Sequence, residues 1–322
     1  MILLCESDKL GLTEHVNVIS LFNPPDQSAV VCRIDNPTFL SWSIKSLNAV
    51  LFSKGPVICF SIGFFSILLI IIARLRRKLT FYFCHEPGNL NYFRIRHGLF
   101  KSIAIFTLNY ILTVVCNKPI VGNPRVQSIY GRKVLFCPLP ATINETNRSL
   151  NKNVKYTIGI LGTVSMERGL REIDVLSKKY SIAALMNKSL PIIYRDKVHV
   201  VKESNFTLSE KNCFLGSVGF ILNLRCEPYN QSGVTVDCLI RGVPVLTSNL
   251  DCYVSKFFSD LLPQVDLSKN FNCELLEVSN ALVNLNVKKR DVIRERAIRI
   301  FNLYPRKLVH NISNFSRRNN FK

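Results

Sequence analysis

The sequence predicts an α/β protein of two domains, each a parallel sheet covered by helices on both faces. Three observations predict it. Short apolar runs bounded by Gly, Pro or polar residues alternate with longer helix-forming stretches along most of the chain, which is the order that parallel strands with helical crossovers require. The alternation is interrupted between Thr142 and Lys155 by the polar, Asn-rich stretch INETNRSLNKNVK, a composition suited to a linker between two cores. Finally, 322 residues, 48% hydrophobic and 20% charged, suffice for two cores and exclude a globally disordered chain.

In the first domain HVNVISLF and SAVVCRID read as strands, TFLSWSIKSLNAVLFSK as a helix and GPVICF as a strand introduced by Gly-Pro. SIGFFSILLIIIARLRRK follows as a helix with a basic last turn, and LTFYFCHEPG as a strand stopped by Pro-Gly. NYFRIRHGLFKSIAIFTL then reads as a helix, and NYILTVVCNK and KVLFCPLPA as strands. The uncharged run at residues 57–73 has two parses. It stands at the lower edge of the length that spans a bilayer, with a basic flank beyond it. Divided into strand and helix, it instead continues the alternation, the helix being buried or dipping into a membrane. In the second domain YTIGILG, SIAALMN, KVHVVKE and VGFILNL read as strands and ERGLREIDVLSKKY as an amphipathic helix. QSGVTVDCLIRGVPVLTS reads as loop, helix, turn and strand, and the chain closes with a helix over residues 289–303 and a basic, Asn-rich tail. The domains expected are 1–143, a linker 144–155, 156–287, and a basic helix and tail 288–322.

The balance of 42 Lys+Arg against 22 Asp+Glu, a net +20, draws phosphate, whether of nucleic acid or of anionic lipid. Arg74, Arg76, Arg77 and Lys78 adjoin the most apolar stretch, and Lys288, Lys289, Arg290, Arg294, Arg296 and Arg299 recur along the last helix. Basic residues beside apolar ones suit an anionic membrane surface. No zinc-finger spacing or RNA-binding signature is present, so no nucleic-acid partner is expected. Eleven cysteines without regular spacing, behind a start that lacks the basic and apolar regions of a leader, point to a reducing compartment and against a disulfide scaffold. The expected location is cytoplasmic, peripheral on the membrane, or anchored by a single helix at 57–73 if that run spans.

The segment YNQSGVTVDCLIRGVPVLTS carries the most chemistry. Gln231-Ser232-Gly233 opens a helix, whose backbone N–H groups can bind phosphate oxygens. Asp237 lies one turn in, able to accept hydrogen bonds from sugar hydroxyls, and Gly242 ends the helix. A second such helix start follows Gly162-Thr163, with Arg168 and Gly169 a few residues on. Two phosphate-ready ends in one domain suggest a diphosphate ligand. Each residue also has a structural reading: Asp237 as a solvated helix carboxylate, and Arg168 as part of a surface ion-pair face with Glu167, Arg171 and Glu172. His85 could be a hydrogen-bonded strand-end residue, and Cys84, Cys226 and Cys238 small buried apolar groups.

The pair GTVSMERGL and SGVTVDCLIRGVPVL, with HEPG in the first domain, resembles the GT-B glycosyltransferases, close to the retaining group numbered family 4. The order of elements agrees over about residues 55–300. The resemblance implies two Rossmann-like domains facing a cleft, the N-terminal one shortened, with the chain expected to open after the usual first strand, Gly-rich loop and helix. It implies transfer of a sugar from a nucleotide-diphospho-sugar to a lipid-linked or polysaccharide acceptor, with retention. It places Arg168 as a cation for the diphosphate, Ser232, Gly233 and Val234 beside that diphosphate, Asp237 at the ribose and His85 near the sugar. His85 and Arg168 are thus the expected catalytic pair, and Gly162, Thr163, Arg168, Tyr229, Ser232, Gly233, Val234 and Asp237 the expected donor contacts. Tyr229 occupies the position where the family usually carries its first acidic residue, so a protein of this fold acting in binding or assembly is the alternative. No metal or resident cofactor is expected, since no Asp-Xaa-Asp motif is placed to hold one.

Overall fold

A computed structural model describes residues 1–5, 19, 30–33, 39–84, 98–126, 134–139, 154–162, 169–224 and 232–319. The chain divides into two compact units, residues 1–142 with 301–322, and residues 143–300.

In the first unit, β1 (Ile2–Cys5), β2 (Val30–Arg33), β3 (Val57–Cys59), β4 (Thr80–Cys84), β5 (Lys118–Val121) and β6 (Leu135–Phe136) form one parallel sheet. Its order is β2-β1-β3-β4-β5-β6. Strands sealed on both faces read as unbroken apolar runs, and every residue of β1, β3 and β4 is buried. The crossovers are α1 (Phe39–Phe52) from β2 to β3, α2 (Phe64–Leu75) from β3 to β4, and α3 (Leu99–Val115) from β4 to β5. All three steps run the same way along the sheet, so right-handed crossovers put all three helices on one face. There α2 packs against both α1 and α3. One basic segment caps two of these helices. Arg74 Nη1 donates to Val115 O at 2.7 Å at the end of α3, Arg76 Nη2 to Leu51 O at 3.2 Å, and Lys78 Nζ to the carbonyls of Val50 and Ser53 at the end of α1. Cations there offset the negative ends of the helix dipoles.

Several expectations are corrected here. The apolar run at 57–73 divides at residues 60–63 into β3 and a helix of 12 residues, so it is not a single span. At about 1.5 Å per residue that helix falls well short of a hydrocarbon core of roughly 30 Å. No helix among the described residues is long and apolar enough to cross a membrane. The sheet includes Ile2–Cys5, against the expectation that the chain opens after the first strand of the domain. Within HVNVISLF, expected as a strand, Ile19 is helical and buried, and the remainder lies outside the described residues. NYILTVV, rich in β-branched residues, is the second half of α3 and not a strand. It is docked from within, because the Tyr82 hydroxyl on β4 donates to Asn109 Oδ1 in the middle of the helix, and such tertiary contacts override propensity.

In the second unit, β7 (Tyr156–Gly162), β8 (Ile182–Met186), β9 (His199–Glu203), β10 (Val218–Leu222) and β11 (Val245–Leu246) form a parallel sheet. Its order is β11-β10-β7-β8-β9. The helices described around it are α4 (Ile173–Leu176), α5 (Leu208–Ser217), α6 (Gly233–Leu239), α7 (Cys252–Phe257) and α8 (Phe271–Val283). Leu161, Leu185, Leu215, Val218, Ile221 and Val245 meet in its core. The last helix, α9 (Val287–Asn319), is longer than expected. It begins in the second unit, and its residues from Phe301 onward belong to the first. There Phe301, Leu308 and Ile312 are buried, Tyr304 meets Phe136 edge to face at 5.0 Å, and Lys118 Nζ lies 4.9 Å from the Phe315 ring centre. This apolar stripe, hidden among Arg, Lys and Asn, keeps the expected tail helical. Upstream, Arg296 pairs with Asp260 at 2.5 Å, so the basic stretch at 288–299 includes a structural cation.

Ile221 is fully buried at the centre of the second sheet, whereas Ile192 is 83% exposed. In urea unfolding of the full chain, Ile221→Ala is expected to destabilise the second unit by about 2–5 kcal/mol, and Ile192→Ala by no more than roughly 0.5 kcal/mol.

Candidate functional site

In open parallel sheets, ligands bind outside the carboxyl ends of the strands. In the second unit the central strands β7 and β10 end on the same edge at Gly162 and Leu222, and α6 starts beside them. Gly162 has φ +80°, and a Cβ built on it would stand 4.0 Å from Val234 Cγ2. The last residue of β7 thus takes a conformation that favours glycine and stands beside Val234 in the first turn of α6. Gly169, the residue after Arg168, has φ +99°, and a Cβ there would press on Leu222 at 3.0–3.3 Å. Gly162 and Gly169 therefore both stand at this edge, while the segment between them, where the second helix start is expected, lies outside the described residues.

The start of α6 is fixed by a buried chain of polar side chains. Ser232 is the N-cap, its Oγ accepting from Thr235 N at 3.1 Å. Asn223, just past β10, donates from Nδ2 to Ser232 Oγ at 2.8 Å and to Thr235 Oγ1 at 2.9 Å. Thr235 Oγ1 donates to Asp251 Oδ2 at 3.0 Å, and Asp251 Oδ1 caps α7 by accepting from Tyr253 N and Val254 N at 3.0 and 2.9 Å. All four side chains are at least nine-tenths buried. The N–H groups of Gly233 and Val234 precede the first intrahelical donor, Val236 N, which bonds to Ser232 O at 3.1 Å. A Cβ on Gly233 would meet no atom of the described residues within 4 Å, so this end is open to a small ligand.

Asp237 stands one turn further on, turned toward α5. Its Oδ2 accepts from Lys211 Nζ at 2.9 Å and its Oδ1 from Arg241 Nη1 at 3.3 Å, while Arg241 Nε donates to Asn212 Oδ1 at 3.0 Å. The carboxylate thus joins α5 to α6 and is no solvated surface group. Helix α5 is held in turn by a capping box, Thr207 Oγ1 accepting from Glu210 N and Glu210 accepting from Thr207 N. The bonds from Lys202 and Thr207 bring the Glu210 carboxyl down to about 2. Burial pushes the Cys238 thiol up, in keeping with its expected role as an apolar group. Of the expected ion-pair face, Glu167 and Arg168 lie outside the described residues, and Arg171 acts on Glu172 to lower its carboxyl against the effect of burial. Glu172 Oε2 is buried without a partner among the described residues, and burial, the larger effect, raises the carboxyl.

Of the expected site residues, the structure brings together Gly162, Ser232, Gly233 and Val234, and places Asp237 at the neighbouring helix joint. His85, Thr163, Arg168 and Tyr229 lie outside the described residues. Sequence reading missed Asn223, Asp251, Lys211 and Arg241. A signal for Asp251 was present, since Asp before a short helical segment is an N-cap pattern. Arg241 stands at i,i+4 from Asp237, a spacing at which opposite charges meet on a helix, whereas Asn223 and Lys211 are distant partners with no local signature. Among the described residues no group of three or more His, Cys, Asp or Glu is placed to hold a metal ion.

No protein-family model matches the sequence, and no curated protein matches it significantly. Solved structures do match in fold. HepE of Anabaena, in complex with UDP, superposes with a TM-score of 0.67 at 11% identity, over 97% of this chain and 99% of that one. A glycosyltransferase from Rickettsia africae gives 0.66 at 11% identity, covering 97% of both chains. The N-terminal domain of trehalose-6-phosphate phosphatase from Candida albicans gives 0.65 at 9% identity, over 97% and 96%. At such identities what is shared is the fold, two Rossmann-like α/β domains of the GT-B class.

Removing the Asp251 carboxylate leaves Thr235 and two α7 amides without their partner. Asp251→Ala is expected to cost on the order of 2–4 kcal/mol in urea unfolding. For Glu210, whose folded value lies below its ordinary 4.5, the contribution to stability is complete above that value and is lost as pH falls from about 4.5 toward 2. The acid limb of a thermal-stability profile should therefore flatten in Glu210→Gln.

Proposed function

We propose that this chain is a GT-B glycosyltransferase that moves a sugar from a nucleotide-diphospho-sugar to a lipid-linked or polysaccharide acceptor at a membrane surface. The observation that carries the reading is the open, pre-set start of α6 beside the Gly162 turn, at the carboxyl edge of the second sheet. Likeness in fold over nearly the full chain to HepE, which was solved with UDP and with UDP-glucose, and to AviGT4, a glycosyltransferase of avilamycin A biosynthesis, supports it.

In this reading Ser232, Gly233 and Val234 receive the diphosphate with backbone N–H groups, and the turn at Gly162-Thr163 lets the backbone approach it closely. Arg168 supplies the cation and His85 faces the transferred sugar. Tyr229 borders the nucleotide. Asp237 meets a ribose hydroxyl with the lone pairs that Lys211 and Arg241 leave open, since a carboxylate has about four acceptor sites. As the bond from the sugar's anomeric carbon to the diphosphate oxygen breaks, its electron pair stays on that oxygen, while the acceptor's hydroxyl oxygen bonds the anomeric carbon and its proton passes to the departing phosphate. Fixed positive potential around that oxygen lowers the barrier most when it is pre-organised. Such a leaving-group site has no need of a divalent cation. Retention of configuration rests on the likeness of GTVSMERGL and SGVTVDCLIRGVPVL to the retaining family.

The test is a thermal-shift and turnover panel of UDP-, GDP- and ADP-sugars with and without EDTA. One donor is expected to stabilise the chain regardless of EDTA, and Arg168→Ala to lower its turnover by about a hundredfold or more. Stabilisation without turnover would favour the binding or assembly role, and no stabilisation by any donor would overturn the reading.

A further inference from the structure

The layer of α1, α2 and α3 has an apolar outer surface. Helix α2 is apolar all round. Ser66, Ile67, Leu69, Ile70 and Ala73 are buried on its inner side, while Phe64, Leu68, Ile71 and Leu75, at spacings of four, three and four, are exposed on the other. Neighbouring α3 repeats this outward stripe with Leu99, Ile103, Phe106, Tyr110 and Val114, and Phe100 beside it is 87% exposed. A helix inside a covered sheet needs only one apolar side. Two adjacent helices with a second, outward apolar side form an exposed patch of the kind that marks an interaction surface.

Charge says what covers it. Between Asp35 and Glu145 the chain carries 13 Lys or Arg and a single acid, Glu86, and none of the three helices contains Asp or Glu. Lys45, Lys54, Arg74, Arg76, Arg77 and Lys101 are exposed on these helices or just past their ends. Arg74 and Arg76 keep their net charge even while capping helix ends. A second copy of this chain on the same face would set cations against cations with no acid to pair them, because a two-fold contact joins like surfaces. An anionic lipid surface supplies both what the aromatic and aliphatic stripes require and the counter-charge.

We propose that the outer face of α1–α3 docks the first unit onto an anionic bilayer surface, with the stripes of α2 and α3 entering the headgroup boundary and Lys54, Arg77 and Lys101 meeting lipid phosphates. This names the face and the residues through which membrane association would occur, and it does not rest on glycosyl transfer, since binding is read without donor or acceptor.

The test is co-sedimentation of the full chain with vesicles of phosphatidylcholine alone and with roughly a third phosphatidylglycerol. Binding to the anionic vesicles is expected to exceed that to the neutral ones by at least about tenfold, and to fall by a similar factor in Phe64→Ser/Phe100→Ser at an unchanged melting temperature. Lys54→Glu/Lys101→Glu should weaken binding most at low salt. No binding, equal binding to both vesicles, or a Phe64→Ser/Phe100→Ser protein that binds as before would overturn the proposal. A lipid-free dimer that this double variant turns into monomer would overturn it too, assigning the face to self-association.

Discussion

The buried chain from Asn223 through Ser232 and Thr235 to Asp251 is the constraint on which the carboxyl edge of the second sheet depends. One carboxylate caps α7, holds the Thr235 hydroxyl and, through it, the amide of Asn223 that fixes the cap of α6. Side chain to side chain, Asn223 past β10 is bonded to Ser232 and Thr235 at the start of α6, and Thr235 to Asp251 before α7, so these residues cannot shift independently. Inside a protein an unmatched polar group costs far more than a matched one gains. The network therefore sets position more than it adds stability. A helix end proposed to bind an anion is useful only if its amides stand still, and the bonded side chains hold the start of α6 in place.

The cations of the second unit divide the same way. Lys211 and Arg241 are both largely buried against Asp237, and they bind α5 to α6 at the end of the helix away from its open start. Among the described residues, that arrangement leaves the positive end of α6 as a source of potential at the edge. In the first unit, Arg74, Arg76 and Lys78 serve two ends at once: they satisfy carbonyls at the ends of α1 and α3 and they leave the helix layer with a net positive rim. Much of the +20 balance is thus structural in its hydrogen bonds while remaining electrostatic in its reach.

The parallel strands were legible in the sequence because burial on both faces leaves an unmistakable apolar run, as in YTIGILG, SIAALMN and VGFILNL. The start of α6 was legible for a related reason, since Ser-Gly before a helical stretch is a local capping pattern. Ile2–Cys5 was not, because four apolar residues at a chain start carry no periodicity. Helix α3 was half misread because β-branched residues argue for strand until the contact of Tyr82 with Asn109 is known. The apolar helix α2 admitted two environments by composition alone, and only its division from β3 decided against a span. At the candidate site, Lys211, Asn223 and Asp251 reach Asp237 and Thr235 from 12–26 residues away in sequence, and no local pattern announces such pairs.

The account stands on a ligand-binding edge in the second unit built from β7, β10 and α6. Hydrogen–deuterium exchange of the full chain with and without UDP tests that most directly, because it reads the backbone amides assigned to the phosphates. The account predicts slowed exchange in residues 158–162 and 232–236, with β9 at the far side of the sheet unchanged. Slowed exchange confined to the first unit, or none anywhere at saturating UDP, GDP or ADP, would contradict it.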